Sequence, residues 1–195
     1  ESCALVTDAG TPAISDPGED LVRLCAENGV EVRAIPGCCA AVNALAVSGL
    51  PTGRFTFEGF LTVNKKSRRE HLNSLKDETR TMIFHEAPHK LRTTLNDLTE
   101  AFGPDRRISL CRELTKLHEE VLRFTLAEAV AYYKENAPKG EYVLVVAGAA
   151  PKTGAVVTLE DGVAQVLALK EQGMRLKDAA KEVAEHTGLS KNELY

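Results

Sequence analysis

Two short loops, each lying between an apolar run and a helix-like run, most constrain the fold of this chain. The first loop spans residues 8–18, follows the predicted strand at 3–7 and precedes a helical pattern over 19–28. The second loop, residues 36–40, separates a predicted strand at 30–35 from a predicted helix at 40–47. Alternating strands and helices are typical of parallel α/β sheets, whose ligands bind beside the carboxyl ends of the strands. The two loops therefore predict a ligand site.

The rest of the pattern predicts a second α/β region and a helical tail. Strands are predicted at 55–61, 81–85, 107–111, 121–125 and 141–147, with helices at 64–75, 88–102 and 126–136. Several connections between these strands are short, which favours a mixed sheet. Helical stretches follow at 159–172, 176–186 and 190–195. The turn at Gly188 is compatible with a helix-turn-helix and equally with a structural helical hairpin.

The charge and the cysteines narrow the class of protein. The net charge of −4, from 24 basic and 28 acidic side chains, gives no overall attraction for nucleic acid, so RNA binding needs a local basic patch. The predicted helix 64–75 carries such a patch, which is either a solvated surface or a phosphate-binding face: Lys65, Lys66, Arg68 and Arg69. Five cysteines, an odd number without a C-x-x-C motif, indicate free thiols in a reducing cytosol. No apolar run reaches membrane-spanning length. We therefore expect a cytoplasmic protein.

The run from His85 to His89 matches the zinc-protease pattern H-E-x-x-H. That pattern needs both histidines on one continuous helix, whereas residues 81–84 resemble a strand and Pro88 fits only the first turn of a helix. We therefore predict no metal site. Glu86, beside the start of that helix, is either a cap or a site carboxylate.

Charged residues also follow the predicted strand 107–111 directly, in the run Arg112-Glu113-Leu114-Thr115-Lys116. Charged groups at a strand end often line a cleft, although a surface salt-bridge cluster explains them equally well. Together with Glu86, this run supplies the candidate catalytic residues: Glu86, Arg112, Glu113 and Lys116.

Six ordered motifs resemble the ribosomal RNA methyltransferase branch of the tetrapyrrole-methylase-like, class III methyltransferase superfamily. Besides the run at 112–116, they are Asp8-Ala9-Gly10-Thr11-Pro12 with Ser15-Asp16-Pro17-Gly18, Pro36-Gly37 with Cys39-Ala40-Ala41, Ser48-Gly49-Leu50-Pro51, Glu58-Gly59-Phe60-Leu61, and Lys139-Gly140-Glu141. The helical tail also resembles the C-terminal element of that branch, so the resemblance covers essentially the whole chain.

The resemblance implies transfer of a methyl group from S-adenosylmethionine to the ribose 2′-hydroxyl of a cytidine in small-subunit (16S) ribosomal RNA. It also implies two α/β domains with the cofactor between them, and a homodimer. By motif match the cofactor-binding residues are Asp8, Ala9, Gly10, Thr11, Pro12, Ser15, Asp16, Pro36, Gly37, Cys39 and Ala40. The patch at 65–69 would bind the RNA of the small subunit.

Two departures from the family pattern stand out. Cys38 occupies a position where the family has a small residue or proline, and this chain lacks the P-I-G-N and A-E-D-T-R motifs with which the family begins. We therefore expect residues 1–53 to be the C-terminal half of the cofactor-binding domain, 54–150 a second α/β domain, and 151–195 the helical element. The alternatives are a C-methyltransferase acting on a tetrapyrrole precursor, and a non-catalytic module that binds ribosomes or dimerises.

Overall fold

The computed structural model describes residues 2–150, 158–171 and 173–195. The chain divides into two compact units, Glu1–Ala149 and Ala150–Tyr195. The domain boundary predicted near residue 53 lies within the first unit and stays a prediction. All five cysteines are free thiols. No helix among the described residues is both long and apolar enough to cross a membrane.

The first unit is built on a five-stranded mixed sheet in the order β1-β2-β5-β3-β4. Strand β1 pairs with β2 in parallel, and every other neighbouring pair is antiparallel. This arrangement confirms the mixed sheet predicted from the short connections. The strands are β1 (Phe55–Phe60), β2 (Thr81–Glu86), β3 (Arg107–Arg112), β4 (Glu120–Thr125) and β5 (Tyr142–Val146).

The helices of this unit begin where the sequence provides start signals. The Asn64 side chain accepts hydrogen bonds from the amides of Lys66 and Ser67, Pro88 occupies a first turn, and Thr125 and Glu128 form a capping box. Each of these features leaves fewer backbone amides unpaired at a helix start. The helices are α1 (Glu19–Glu27), α2 (Ala40–Val47), α3 (Lys65–Ser74), α4 (Pro88–Phe102) and α5 (Leu126–Glu135).

Alternate side chains of the central strands enter two different cores. Met82 and Phe84 of β2 pack in a cluster with the apolar side chains of α3, α4 and α5. Ile83, between them, packs in a second cluster with Ala44 and Leu45 of α2. Strand β5 is divided in the same way, because successive side chains of a strand point to opposite faces of the sheet. The sheet is therefore covered on one face by α3, α4 and α5, and on the other by α2.

The strands predicted at residues 3–7 and 30–35 are wrong for this structure, because none of the described residues 2–54 belongs to a strand. No backbone hydrogen bond between the described residues joins the two segments. Their apolar side chains are exposed, up to 80% at Val6 and 84% at Ile35. A strand needs a neighbour to pair its backbone groups, and an apolar run alone does not provide one. Helices α1 and α2, whose hydrogen bonds are internal, form as predicted.

In the second unit, the described residues 158–171 and 173–195 form three helices around a small core of their own. They are α6 (Leu159–Glu171), α7 (Leu176–Thr187) and α8 (Lys191–Leu194), with a turn at Gly188 between the last two. The core side chains are Val166, Ala179, Ala180, Val183 and Leu194. Acidic residues outnumber basic ones by seven to five over residues 158–195. The predicted helical element 151–195 includes residues 151–157, and the first predicted tail helix ends at residue 172; all of these residues lie outside the described ones.

The packing of α2 on the sheet generates a prediction about stability. Ala44 is fully buried, so Ala44→Leu inserts a larger side chain into a filled space and should destabilise the protein by about 1–3 kcal/mol. The measurement is the midpoint of thermal or urea unfolding followed by circular dichroism. Val42→Leu, on the same helix at a side chain that is half exposed, is the matched control and should leave the midpoint unchanged. Equal midpoints for both variants would contradict this view of α2.

Candidate functional site

The two glycine-containing loops meet in the structure. The Thr11 hydroxyl donates a hydrogen bond of 3.0 Å to the carbonyl oxygen of Cys38, joining positions 27 residues apart. Together the loops line a cavity of about 560 Å³ at the edge of the sheet where β1, β2 and β3 end and β5 begins. The sequence predicted a ligand site at the carboxyl ends of strands 3–7 and 30–35, which do not form. The two loops lie instead beside the ends of β1, β2 and β3.

The backbone of the first loop adopts conformations that most residues avoid. Gly10 has a φ of 78°, and Ala13 and Ser15 have φ values of 68° and 63° although neither is glycine. Left-handed backbone at non-glycine residues is uncommon and gathers at functional sites, where the surrounding structure maintains it. A Cβ atom at Gly10 would lie in nearly open space, 3.9 Å from the Cys38 carbonyl oxygen. The loop therefore leaves room for a ligand against its backbone.

Most of the predicted cofactor-binding residues line this cavity. Those that do are Asp8, Ala9, Gly10, Thr11, Ser15, Asp16, Cys39 and Ala40, whereas Pro12, Pro36 and Gly37 are not among its lining residues. Of the candidate catalytic residues, Glu86, Glu113 and Lys116 contribute to the lining. Arg112 does not, and its Nε lies 3.3 Å from Glu120 Oε2 across the ladder of β3 and β4.

The cavity is strongly acidic. Five carboxylates line it against the single ammonium group of Lys116; they belong to Asp8, Asp16, Glu86, Glu113 and Glu141. Such an excess of one sign of charge in a concave site attracts ligands of the opposite sign. The cavity therefore favours a cationic ligand over a phosphate.

A charged cluster forms one wall of the cavity. The Lys116 ammonium lies 3.1 Å from Glu113 Oε1 and 2.9 Å from Glu141 Oε2, and Glu113 Oε1 also accepts a bond from the Glu141 amide at 2.9 Å. The amide bond and then the ammonium lower the pKa of the Glu113 carboxyl. Gly140, with a φ of 75°, is required beside this cluster, because a Cβ there would lie 2.5 Å from the Glu113 side chain.

Glu86 is turned toward α4. Its Oε2 accepts a hydrogen bond from the fully buried Thr94 hydroxyl, and its Oε1 accepts the Ala87 amide at 2.9 Å. Since Glu86 follows Phe84 at an interval of two along β2, it shares the face covered by α3, α4 and α5. Its carboxylate therefore borders the cavity while its hydrogen bonds anchor it to the opposite layer.

His85, one residue earlier, lies on the α2 face and lines the cavity. Its ring contacts Phe57 and Phe60 edge to face, with centroids 5.2 Å and 5.4 Å away. Burial lowers the pKa of His85, with Asp16 and Glu141 acting in the opposite direction, and its Nε2 is buried without a hydrogen-bond partner. The H-E-x-x-H pattern presents His85 only as a zinc ligand, whereas its place two residues after Ile83 assigns it to the α2 face.

The two histidines of the H-E-x-x-H run are separated by the break predicted at Pro88. His85 belongs to β2, whereas His89 lies in the first turn of α4 and lines a different cavity. Within the described part of the chain, no three histidine, cysteine, aspartate or glutamate side chains are grouped closely enough to hold a metal ion.

That second cavity is a groove of about 670 Å³ between α3 and α4. Four cations line it against two carboxylates, Asp97 and Glu100; the cations are Lys65, Arg68, Arg69 and Lys90. It is therefore positively charged in a chain whose net charge is −4.

Arg68 differs from the other basic side chains of α3. Its guanidinium donates to Asp97 at 2.6 Å and to Thr94 at 2.7 Å, and only 11% of the side chain is exposed. Lys66 and Arg69 are largely exposed, and their contacts with Glu70 and Glu100 are long, at 4.0 Å and 3.9 Å. Arg68 therefore links α3 to α4 at the floor of the groove, while Lys66 and Arg69 face solvent.

The fold and the site define a class of protein. Residues 1–130 match the family described as Tetrapyrrole (Corrin/Porphyrin) Methylases, and residues 157–195 match the RsmI C-terminal HTH domain. The methyltransferase CobJ has a similar fold, with a TM-score of 0.54 and 23% identity over 72% of this chain and 62% of that one. Cobalt precorrin-4 methyltransferase, CbiF, has a TM-score of 0.53 and 15% identity over 71% and 61%. The chain belongs to the tetrapyrrole methylase family and has its α/β fold.

Closer relatives define the branch of that family. The chain is 46% identical to the ribosomal RNA small subunit methyltransferase I of Synechocystis sp., over 100% of this chain and 70% of that protein. It is 43% identical to the protein of the same name from Escherichia coli O157:H7, over 100% and 68%. Within the tetrapyrrole methylases, the chain belongs to the ribosomal RNA small subunit methyltransferase I family. It spans about 70% of the length of these relatives and about three-fifths of the two solved structures.

The cluster around Glu113 generates a prediction about pH. Because folding lowers the pKa of Glu113, its stabilising effect is fully present above the ordinary value of 4.5 and is lost as the pH falls through the lower folded value. Glu113→Gln should therefore lower the melting temperature at pH 7, and the gap from the wild type should narrow below about pH 4.5.

Thermal melts of both proteins from pH 7 to pH 3 measure this gap. Glu135→Gln, at an exposed position of α5, is the control and should show no comparable gap. A difference between wild type and Glu113→Gln that is independent of pH would contradict the role given to the charge.

Proposed function

We propose that this chain binds S-adenosylmethionine in the acidic cavity and carries out 2′-O-methylation of a cytidine ribose in small-subunit ribosomal RNA. The observation that carries the proposal is the meeting of the two glycine-containing loops around a cavity with five carboxylates and one lysine. The names of the relatives, which are ribosomal RNA small subunit methyltransferases, support the substrate.

The residues of the cavity fit this cofactor chemically. S-adenosylmethionine supplies an electrophilic methyl group on a positively charged sulfonium, and it also carries an ammonium group. The carboxylates complement these positive charges. The open backbone at Gly10 allows close approach, and the exposed hydroxyls of Thr11 and Ser15 add hydrogen-bonding groups. The residues that would hold the cofactor are those of the two loops.

The chain contributes to catalysis mainly by positioning. A ribose hydroxyl is a weak nucleophile, so its alignment and the removal of its proton both lower the barrier. Glu86, Glu113 and Lys116 border the cavity and stay our candidates for proton transfer or charge stabilisation there. Arg112, paired with Glu120 outside the lining, would act only by supporting the loop that follows β3.

The RNA backbone would bind outside the acidic cavity. Phosphates are repelled by its carboxylates and are attracted to the groove between α3 and α4. We propose that Lys65, Lys66 and Arg69 contact phosphates, with Arg68 holding α3 on α4 through Asp97 and Thr94. A ribosomal substrate implies action in the cytoplasm, and the family resemblance implies a homodimer, which sedimentation of the purified protein would test.

The cofactor site generates a prediction at Gly10. Gly10→Val places a branched side chain at a φ of 78°, which costs roughly 1–3 kcal/mol of backbone strain and fills the space beside the loop. Affinity for S-adenosylmethionine, measured by calorimetry, should fall by about tenfold or more. Gly53→Val is the matched control, since Gly53 lacks a positive φ and nothing lies within 4 Å of its Cβ position. Unchanged affinity in Gly10→Val would contradict this site.

The groove generates a prediction about RNA. Reversing Lys65, Lys66 and Arg69 to Glu should weaken binding of small-subunit RNA by about tenfold or more and reduce its salt dependence, while affinity for S-adenosylmethionine is retained. The measurement is a filter-binding titration at several salt concentrations.

The control for this variant reverses three exposed cations elsewhere on the first unit, Arg33, Lys76 and Lys134. It has the same net charge as the groove variant, so any effect of overall charge appears in both. Equal weakening of the RNA complex by the two variants, or equal loss of RNA and cofactor, would refute a separate phosphate site.

The proposed reaction is tested by incubating the chain with methyl-labelled S-adenosylmethionine and small ribosomal subunits. Label in the ribose of a cytidine is the expected result. Uroporphyrinogen in place of subunits tests the tetrapyrrole alternative, and its methylation instead of RNA would overturn the proposal. Binding of subunits without any transfer of label would favour the non-catalytic module.

A further inference from the structure

An exposed aromatic ring lies in the wall of the acidic cavity. Phe60 lines the cavity, and 57% of the residue is exposed. The other phenyl ring in the lining, that of Tyr142, is only 3% exposed. Ligand pockets are lined mainly by hydrophobic and aromatic side chains, so an exposed ring in a concave site is available to contact a ligand.

Neighbouring rings fix the position of Phe60. It is the last residue of β1 and is paired in register with His85 of β2. The rings of Phe60 and His85 meet at 5.4 Å with planes 80° apart, and His85 is supported from its other neighbour, Phe57, at 5.2 Å. The lowered pKa of His85 favours its neutral form, so the ring that contacts Phe60 is an uncharged imidazole. The Phe60 ring is therefore held in place by these contacts, while more than half of the residue remains exposed.

Phe60 also lies close along the chain to the second cavity. Thr62 and Val63, two and three residues further on, line the groove between α3 and α4. Because two residues span at most about 7 Å, an RNA strand with its phosphates in the groove can place a nearby nucleotide at Phe60. The part of that nucleotide entering the acidic cavity must be its uncharged base and ribose.

We propose that Phe60 is the platform on which the target pyrimidine base of the RNA stacks. The inference rests on the proposed function and adds the residue that holds the base. Proteins recognise single-stranded RNA by stacking splayed bases on aromatic side chains, and an enzyme acting on one nucleotide draws it out of its stack. The chain has no tryptophan, and Phe60 is its exposed ring at this wall.

The experiment uses the full chain and a short single-stranded RNA in which the target cytidine is replaced by fluorescent pyrrolocytidine. Stacking on Phe60 should quench the fluorescence of the wild-type complex. Phe60→Leu should lose this quenching and about tenfold or more in RNA affinity. Phe60→Tyr, which keeps a ring, should retain both. Phe55→Leu changes a ring of similar exposure, 42%, at the other end of β1, and should behave as the wild type.

Calorimetry with S-adenosylhomocysteine tests whether Phe60 contacts the RNA base or the cofactor. We expect unchanged affinity in Phe60→Leu, and a loss matching that for RNA would assign the ring to the cofactor and overturn the proposal. Quenching that persists in Phe60→Leu would also overturn it.

Methylation of small subunits by the wild type is measured in parallel. If the wild type methylates the subunits and Phe60→Leu binds RNA with unchanged affinity, the stacking role is refuted and the proposed function is retained. If the wild type neither binds nor methylates the RNA, the proposed function and the stacking role are both refuted.

Discussion

The alternation of side chains along β2 and β5 is the constraint on which the first unit depends. Met82 and Phe84 enter the core beneath α3, α4 and α5, while Ile83 enters the core beneath α2. A shift of one residue in either strand would exchange the two sets and disrupt both cores. The position of α2 follows from this register, and with it the position of the loop that lines the acidic cavity just before and within the first turn of the helix.

The same alternation places two neighbouring polar side chains of the site, His85 and Glu86, on opposite faces of β2. His85 shares the α2 face with the cavity, whereas the hydrogen bonds of Glu86 are directed to α4. Thr94 accepts a bond from Arg68 and donates one to Glu86, so a single buried hydroxyl connects the floor of the basic groove with the border of the acidic cavity. A hydroxyl can accept and donate at once, so Thr94 makes both hydrogen bonds.

The local signals in the sequence explain how much could be predicted. Each of three helix starts has its signal in the residues next to it: Asn64, Pro88 and the pair Thr125–Glu128. The predicted bounds of these helices agree with the observed ones to within a residue. The strands predicted at 3–7 and 30–35 do not form, because a strand depends on a partner that its own residues do not specify. The hydrogen bond between Arg68 and Asp97, which are 29 positions apart, could not be predicted from the sequence either. The same is true of the exposure of Phe60, because both depend on how distant segments pack.

The distribution of charge restricts how a nucleotide can enter this molecule. The five carboxylates of the cavity repel phosphate and attract a sulfonium. The groove between α3 and α4, with its excess of cations, attracts phosphate. RNA carries a negative charge on each phosphate, so its backbone is favoured in the groove, and the parts that can approach the acidic cavity without repulsion are its uncharged bases and riboses. The uncharged ring of Phe60 lies in the wall of the acidic cavity, two residues before Thr62, which lines the groove. A nucleobase is the part of an RNA chain that such a position suits.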